Sequence, residues 1–300
     1  MVAYLFAGQG SQYIGMGRDL YESFPESKAV FEQANEVLGF DLAALCFNGP
    51  QEKLKCTNIS QLAILTVTIA AFEAFKKRVD VKPAFMAGLS LGEYSALIAA
   101  GALAFDEGLR LVSKRAELME EAARKRPGAM AAILDLGLEQ IEGICLESGA
   151  EVANINAPNQ IVISGSKDAV ARACRLAQEA GARRAIELEV SGAFHSSLMS
   201  EAAAQLKHFL DKAKISAPIA PVVSNYTARP QEAPKEITEN LVRQMYSPVK
   251  WSDSMKFILS QGVTKFFEFG PGSILKGLMR RIDNSAEVIS IEKKEAINAL

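Results

Sequence analysis

Apolar positions along this chain recur at two periods. Short continuous runs, such as Val2 to Phe6 and Val263 to Phe269, predict strands buried on both faces of a sheet. Between them lie segments with apolar residues three and four apart, which predict helices. Residues from about Leu20 to Leu45 read as helical, broken at Phe24-Pro25 because proline lacks the donor a helix interior needs. Ser60 to Phe75 is apolar almost all round, the pattern of a helix buried among other elements. Asp106 to Ala123 carries Leu109, Val112, Ala116 and Met119 at helical spacing, with Arg110, Lys114 and Arg115 on or beside that face.

The pattern shifts at Lys125-Arg126-Pro127-Gly128. A strand (Met130 to Leu136), a helix (Leu138 to Ser148), two strands (Glu151 to Ile155, Gln160 to Ser164), a helix (Lys167 to Ala180) and a strand (Ala185 to Val190) follow. Ala157-Pro158-Asn159 supplies the turn between the middle strands. This β-α-β-β-α-β order is the ferredoxin-like pattern, and about 65 residues suffice for a small domain inserted into a larger one. Beyond it the chain reads as a strand (Ile219 to Ser224) and a helix (Leu241 to Tyr246) ended by Ser247-Pro248. An amphipathic helix (Trp251 to Gln261), the run Val263 to Phe269, a basic helix (Leu275 to Arg281) and a last strand (Glu287 to Ile291) come next. The charged tail is expected to fray. No repeats or low-complexity segments interrupt the chain.

One stretch organises the chemistry. Gly88-Leu89-Ser90-Leu91-Gly92 matches G-x-S-x-G, between the apolar run Ala84 to Ala87 and the helix-favouring Glu93 to Ala100. A strand, a sharp turn and a helix in that order are what a nucleophile elbow requires. Glycines flanking the serine let strand and helix approach closely, and the turn sets the hydroxyl at a helix N-terminus, where backbone N–H groups favour developing negative charge. The competing reading is a Gly/Ser turn that merely joins two elements.

A serine needs a base. The chain has two histidines. His208 lies in the amphipathic segment Glu201 to Lys212 and reads as a surface residue. His195 lies in the small-residue loop Ser191 to Ser196, where the inserted segment returns to the larger one, and domain junctions are where sites form. The loop Gly8-Gln9-Gly10-Ser11-Gln12 follows the first strand. It lacks both G-x-G-x-x-G spacing and a G-K-[ST] ending, so a nucleotide cradle is disfavoured against a loop whose N–H groups face a site, or a plain turn. By spacing alone Arg115 reads as solvated or paired at the surface.

Composition narrows the picture. With 33 basic and 35 acidic residues, no nucleic-acid or membrane surface is advertised. The four cysteines are scattered without a C-x-x-C pair, which predicts reduced, buried thiols of a cytoplasmic protein, and no metal site. No apolar run is expected to approach the roughly 20 residues of a membrane helix. MVAYLFAGQG enters a strand without a basic n-region, so no signal peptide is expected.

Taken together, these segments resemble the malonyl-CoA:acyl carrier protein transacylases of type II fatty acid synthesis, and are similar to polyketide synthase acyltransferase domains. The resemblance covers essentially the whole chain. It rests on GQGSQ (Gly8 to Gln12), GLSLGE (Gly88 to Glu93), KRAELM (Lys114 to Met119), NAPNQIVISG (Asn156 to Gly165), GAFHS (Gly192 to Ser196), SPVKW (Ser247 to Trp251) and FGPG (Phe269 to Gly272), in that order. It implies an α/β fold: an α/β-hydrolase-like large domain (1–126 and 193–300) with an inserted ferredoxin-like small domain (127–192). It also implies Ser90 as nucleophile, His195 as general base and Arg115 as the grip on the malonyl carboxylate. The N–H groups of Gln9 and Leu91 become the oxyanion hole, the main-chain carbonyl of Lys250 orients the histidine, and Phe194 sets acyl choice.

The implied partners are malonyl-CoA and holo acyl carrier protein, with no cofactor, no nucleic acid and no membrane, and a monomer is expected. Two positions depart from the family pattern: Leu89 stands where histidine is usual, and Ala7 where proline is usual. Leu89 bears on the polarity of the pocket. Three other readings stay open: a serine hydrolase or thioesterase, a trans-acting acyltransferase serving a polyketide synthase, and a non-catalytic acyl-binding scaffold.

Overall fold

Val2–Phe6, the first apolar run, sits at the centre of a sheet in a computed structural model that describes residues 1–300. The strands are β1 (Val2–Phe6), β2 (Phe85–Gly88), β3 (Gly128–Leu134), β4 (Glu151–Ala157), β5 (Gln160–Ser166), β6 (Arg184–Glu187), β7 (Val222–Val223), β8 (Pro230–Gln231), β9 (Lys265–Phe269) and β10 (Glu287–Ile291). Six of them form one sheet in the order β10-β9-β1-β2-β7-β8, parallel except for the edge strand β8. Both faces of β1 are buried, so its residues alternate between two cores. Tyr4 and Phe6 join Phe72, Phe75 and Phe269 on one side, while Ala3 and Leu5 meet Trp251, Met255 and Phe266 on the other. Tyr4 and Phe75 meet Phe269 edge-on, at 5.2 and 5.0 Å between centroids, while Phe6 stacks on it at 5.5 Å.

The helix Thr57–Lys76 supplies Phe72 and Phe75. At 20 residues and a mean hydropathy of 1.4 it is long and apolar enough to cross a membrane, contrary to the expectation that no run would be. Within its most apolar 18-residue stretch 83% is buried inside the rest of the chain, which makes it a core helix here.

The second sheet, order β4-β5-β3-β6, is antiparallel throughout. Helices Leu138–Ser148 and Lys167–Glu179 cover one face, where Ile141, Val170 and Ala173 pack on Ala131, Ile133 and Ile163. The other face, with Met130, Ala132 and Val162, looks toward the larger body across a cavity. A two-bond bridge pins the small sheet's edge to the larger body: Ile155 N–H donates to the Val249 carbonyl (2.9 Å) and Val249 N–H to the Ala153 carbonyl (2.8 Å).

The chain departs from its pattern mainly near the C-terminus. The strand expected over Ile219 to Ser224 is only Val222–Val223, paired with the unforeseen β8. The helix expected over Leu241 to Tyr246 runs Pro234–Gln244, with Pro234 in its first turn, where a missing N–H costs nothing. The tail is pinned rather than frayed: a short helix, Lys294–Asn298, receives the Asp19 carboxylate at Lys294 N–H (2.9 Å) and buries Ile297. All four cysteines are free, but only Cys46 and Cys145 are buried; Cys174 is half-buried and Cys56 exposed, because the short helix before it leaves it at the surface.

Candidate active site

β2 ends at Gly88 and the helix Leu91–Ala99 begins directly after Ser90, which holds φ 53° and ψ −100°. A non-glycine residue at positive φ is strained and is kept only where its surroundings over-determine it. Here Asn225 does so, accepting the Ser90 N–H at Oδ1 (2.6 Å) and donating from Nδ2 to the Gly88 carbonyl (2.7 Å). The glycines are there for space. A Cβ on Gly88 would lie 2.0 Å from the Gly92 carbonyl, and one on Gly92 would lie 2.2 Å from the Phe6 carbonyl oxygen. Helix, β2 and β1 therefore touch backbone to backbone, and the Ser90 side chain is thrown out beyond the carboxyl ends of the strands.

Three side chains meet there. The Ser90 hydroxyl donates to His195 Nε2 (2.8 Å), and His195 Nδ1–H donates to the Gln244 main-chain carbonyl (2.7 Å). That carbonyl fixes the tautomer, leaving the Nε2 lone pair facing the hydroxyl. His195 also sits at positive φ, 57°, and is 5% exposed. Burial first, and the Arg115 charge second, push its pKa down from 6.5 to about 4, with the Gln244 hydrogen bond opposing both. The imidazole is thus neutral at neutral pH, with its Nε2 lone pair free to take the serine proton. Arg115, expected from spacing to be solvated, is buried at 1% exposure. Its Nη2 donates to Ser90 Oγ (2.9 Å) and to Gln244 Oε1 (3.2 Å), and its Nη1 to Gln61 Oε1 (2.5 Å). Burial lowers its pKa, and Tyr94 and Glu93 pull it back. Of its helix neighbours, Arg110 pairs with Asp106 and Lys114 with Glu117 at the surface.

The carbonyl that holds His195 is not that of Lys250. The Lys250 carbonyl is occupied by Ser254, accepting both its N–H and its hydroxyl at 2.9 Å, and the Lys250 ammonium lies 5.6 Å from the Tyr226 ring. The physical reason is legible in the chain. A helical Gln244 carbonyl would accept from residue 248, but Pro248 has no N–H. The last carbonyl of helix Pro234–Gln244 is therefore left for the imidazole. Nothing in the spacing of Gln61 or Asn225 ties them to the serine, whereas Glu93, three residues after it, stands where a capping glutamate would.

Ser90 and His195 open onto a cavity of about 500 Å³ between the two sheets. Gln9 and Phe194 line it, as do Asn154 and Asn156 from the small sheet, and Leu89 gives it an apolar wall where a histidine was usual. Leu91 is the first residue of the elbow helix, so its N–H belongs to a helix N-terminus beside Ser90. His208 lies exposed on helix Ser200–Leu210. No group of three His, Cys, Asp or Glu side chains is arranged to hold a metal.

A hydroxyl whose proton has a neutral imidazole to go to can be acylated, and that is the chemistry of serine hydrolases and serine acyltransferases alike. The buried cation beside the oxygen is what a simple hydrolase has no use for. The chain belongs to the acyl transferase domain family, whose model matches residues 3–294. It is 46% identical over 301 residues to the malonyl CoA-acyl carrier protein transacylase of Bacillus subtilis (strain 168), covering 99% of this chain and 95% of that protein. It is also 45% identical over 285 residues to the polyketide biosynthesis protein ThaF of Burkholderia thailandensis, covering 94% of this chain but 24% of that protein. Among solved structures, a type II polyketide acyl-carrier protein in complex with its malonyl-transacylase matches with TM-score 0.97 at 39% identity, covering 99% of this chain and 98% of that one. The fold is the mixed α/β fold of those transacylases, and the chain is an acyltransferase.

Proposed function

We propose that this chain transfers the malonyl group of malonyl-CoA to the phosphopantetheine thiol of holo acyl carrier protein, supplying fatty acid synthesis through a malonyl-Ser90 intermediate. The observation that carries this reading is the Arg115 guanidinium, buried and bonded to the nucleophile's oxygen at 2.9 Å. An acyl group on Ser90 would bring its far carboxylate within reach of that fork, which pairs bidentately and stays charged. The first step is attack of Ser90 Oγ on the thioester carbonyl carbon as its proton passes to His195 Nε2. The Gln9 and Leu91 N–H groups stabilise the oxyanion. The C–S bond then breaks, and the imidazolium returns the proton to the departing coenzyme A sulfur. In the second step His195 takes the proton of the carrier thiol as its sulfur attacks the malonyl ester. The Oγ–acyl bond then breaks, the malonyl group leaves on the carrier sulfur, and the imidazolium returns the proton to Ser90 Oγ. Phe194 crowds the donor's α-carbon and favours malonyl over branched donors.

In this reading residues 1–126 and 193–300 form an α/β-hydrolase-like catalytic domain, supported by the parallel sheet and its elbow. Residues 127–192 form a ferredoxin-like domain, supported by the β3-helix-β4-β5-helix-β6 order. The protein works as a monomer in the cytoplasm, in keeping with its four free thiols. A second reading, the same transfer to a polyketide carrier protein, is favoured by the 45% identity to ThaF. Intact-mass spectrometry after mixing with malonyl-CoA tests the core of the proposal. One malonyl adduct on the wild type and none on Ser90→Ala is expected; an adduct on Ser90→Ala would exclude Ser90 as the nucleophile. Chasing the adduct with fatty acid and polyketide carrier proteins in turn separates the two readings.

A further inference from the structure

Beneath the elbow lies a carboxylate that the two transfer steps above do not use. Glu93 is three residues after Ser90, in the first turn of the elbow helix, and is fully buried. A glutamate there commonly reaches back to the N–H of the capping residue. Here that N–H is already taken by Asn225, and the Glu93 carboxylate turns to three other groups. Gln231 Nε2 donates to Oε1 at 2.7 Å; Gln244 Nε2 (2.7 Å) and Asn225 N–H (3.0 Å) donate to Oε2. All three partners are donors, so the site is built for an acceptor without a proton of its own. The amide orientations are forced by their other ends. Gln231 Oε1 accepts from Asn240 (2.9 Å), and Gln244 Oε1 accepts from Arg115, leaving each Nε2 for Glu93.

Gln244 is therefore a connector. Its backbone carbonyl holds His195, its Oε1 holds Arg115, and its Nε2 is shared between Glu93 and the Ser90 carbonyl (3.0 Å). Turning that one amide would release the cation and the elbow, and would unfasten the side-chain anchor of the residue whose main-chain carbonyl holds the base. Of the two acceptors that hold Nε2, the Glu93 carboxylate at 2.7 Å is the nearer and the only charged one, against 3.0 Å for the Ser90 carbonyl. We propose that Glu93 is a positioning residue: through the Gln244 side chain its carboxylate locks the His195 carbonyl partner, the Arg115 guanidinium and the Ser90 turn into one register. The inference rests on the reading of Ser90 and His195 as the reacting pair. It does not depend on which acyl donor is used.

Glu93→Gln keeps the shape and loses the charge, and it turns an NH₂ toward one of the three donors. Gln244→Met keeps the main-chain carbonyl and the side-chain length while removing the connecting amide. The readout is the labelling rate of Ser90 by a fluorophosphonate, which needs the serine and its base but no malonyl group, measured beside thermal stability. Each single variant is expected to slow labelling of the folded protein by about ten- to a hundredfold, and the double variant to be no slower than the worse single within about threefold, because both break one link. Glu93→Asp should recover part of the rate. Multiplicative losses in the double variant, or a Glu93→Gln protein that loses stability yet labels at the wild-type rate, would overturn the proposal. If Glu93→Gln failed to fold, Gln244→Met alone still decides, since full-rate labelling without the amide leaves Glu93 nothing to act through. If wild type labelled normally but gained no malonyl group, the donor reading would fall and the Glu93 assignment would stand.

Discussion

His195 makes a quantitative demand on pH. In the folded chain its pKa lies near 4, against 6.5 for an ordinary imidazole, with burial the larger cause and the Arg115 charge the smaller. That gap corresponds to about 3 kcal/mol favouring the neutral ring. At pH 5 about nine-tenths of the folded molecules would carry a neutral base, whereas an imidazole of ordinary pKa would be neutral in only about 3%. Acylation measured as kcat/KM for malonyl-CoA, which reports the free enzyme, should therefore hold nearly level from pH 8 to about 5 and fall only near 4. The same shift acts on stability. The unfolded chain takes up a proton below 6.5 that the folded chain refuses until about 4. The stabilisation is therefore complete above 6.5 and is lost as pH falls between those values. Stopped-flow acylation across pH 4 to 8, with circular dichroism on the same samples, separates the two effects. An acid limb centred near 6.5 in still-folded protein would mean that the ring is more solvated than its 5% exposure implies. Arg115→Met should move the limb upward, since it removes a charge that disfavours the imidazolium.

His195→Ala should slow acylation by about two to four orders of magnitude, the usual worth of a general base, in a single-turnover assay. Arg115→Ala should cost malonyl transfer about 3–5 kcal/mol while acetyl, which offers no carboxylate, becomes relatively better in a competition assay. Phe194→Ser should narrow the expected ten- to a hundredfold preference for malonyl over methylmalonyl, read from paired thioester competition. Because Phe194 is 4% exposed, the melting temperature should fall as well. Gly92→Ala drives a Cβ to 2.2 Å from the Phe6 carbonyl oxygen, a backbone atom that cannot swing aside. It should destabilise by about 3 kcal/mol or more in denaturant melts and cost activity through the tilted elbow.

The parts of the fold that were legible in the chain are those where one local period decides. β1, the core helix Thr57–Lys76 and the β-α-β-β-α-β segment each carry a strong local pattern of apolar positions. β7 and β8 have two residues each and no period of their own, and they exist because β2 offers an edge to pair with. The tail helix likewise depends on a carboxylate, Asp19, some 275 residues away.

The site divides along the same line. Ser90 was legible because its constraints are local: two glycines at fixed offsets, each demanded by a backbone contact under 3 Å for any added Cβ. Arg115 was not, since Arg110, Lys114 and Arg115 lie within six positions of one helix and spacing cannot say which of them is buried. That is decided by Gln61 on one neighbouring helix and Gln244 on another, whose amide oxygens accept from Arg115 alone. Gln244 lies between these cases. The element that carries it was cut too short at its start, but Pro248 marks its carbonyl as having no helical donor, a signal readable without any structure. A buried carbonyl without a donor must find one, and His195 is the donor it finds. The residue orienting the base is thus fixed by a missing hydrogen four positions downstream. A substitution of Pro248 that supplies an N–H would set up competition for that carbonyl. Pro248→Ala should accordingly slow acylation in the single-turnover assay while leaving malonyl over acetyl preference, which depends on Arg115, largely as it was. Wild-type acylation in that variant would mean that the His195 hydrogen bond outcompetes the helix and that Pro248 has no part in freeing the Gln244 carbonyl.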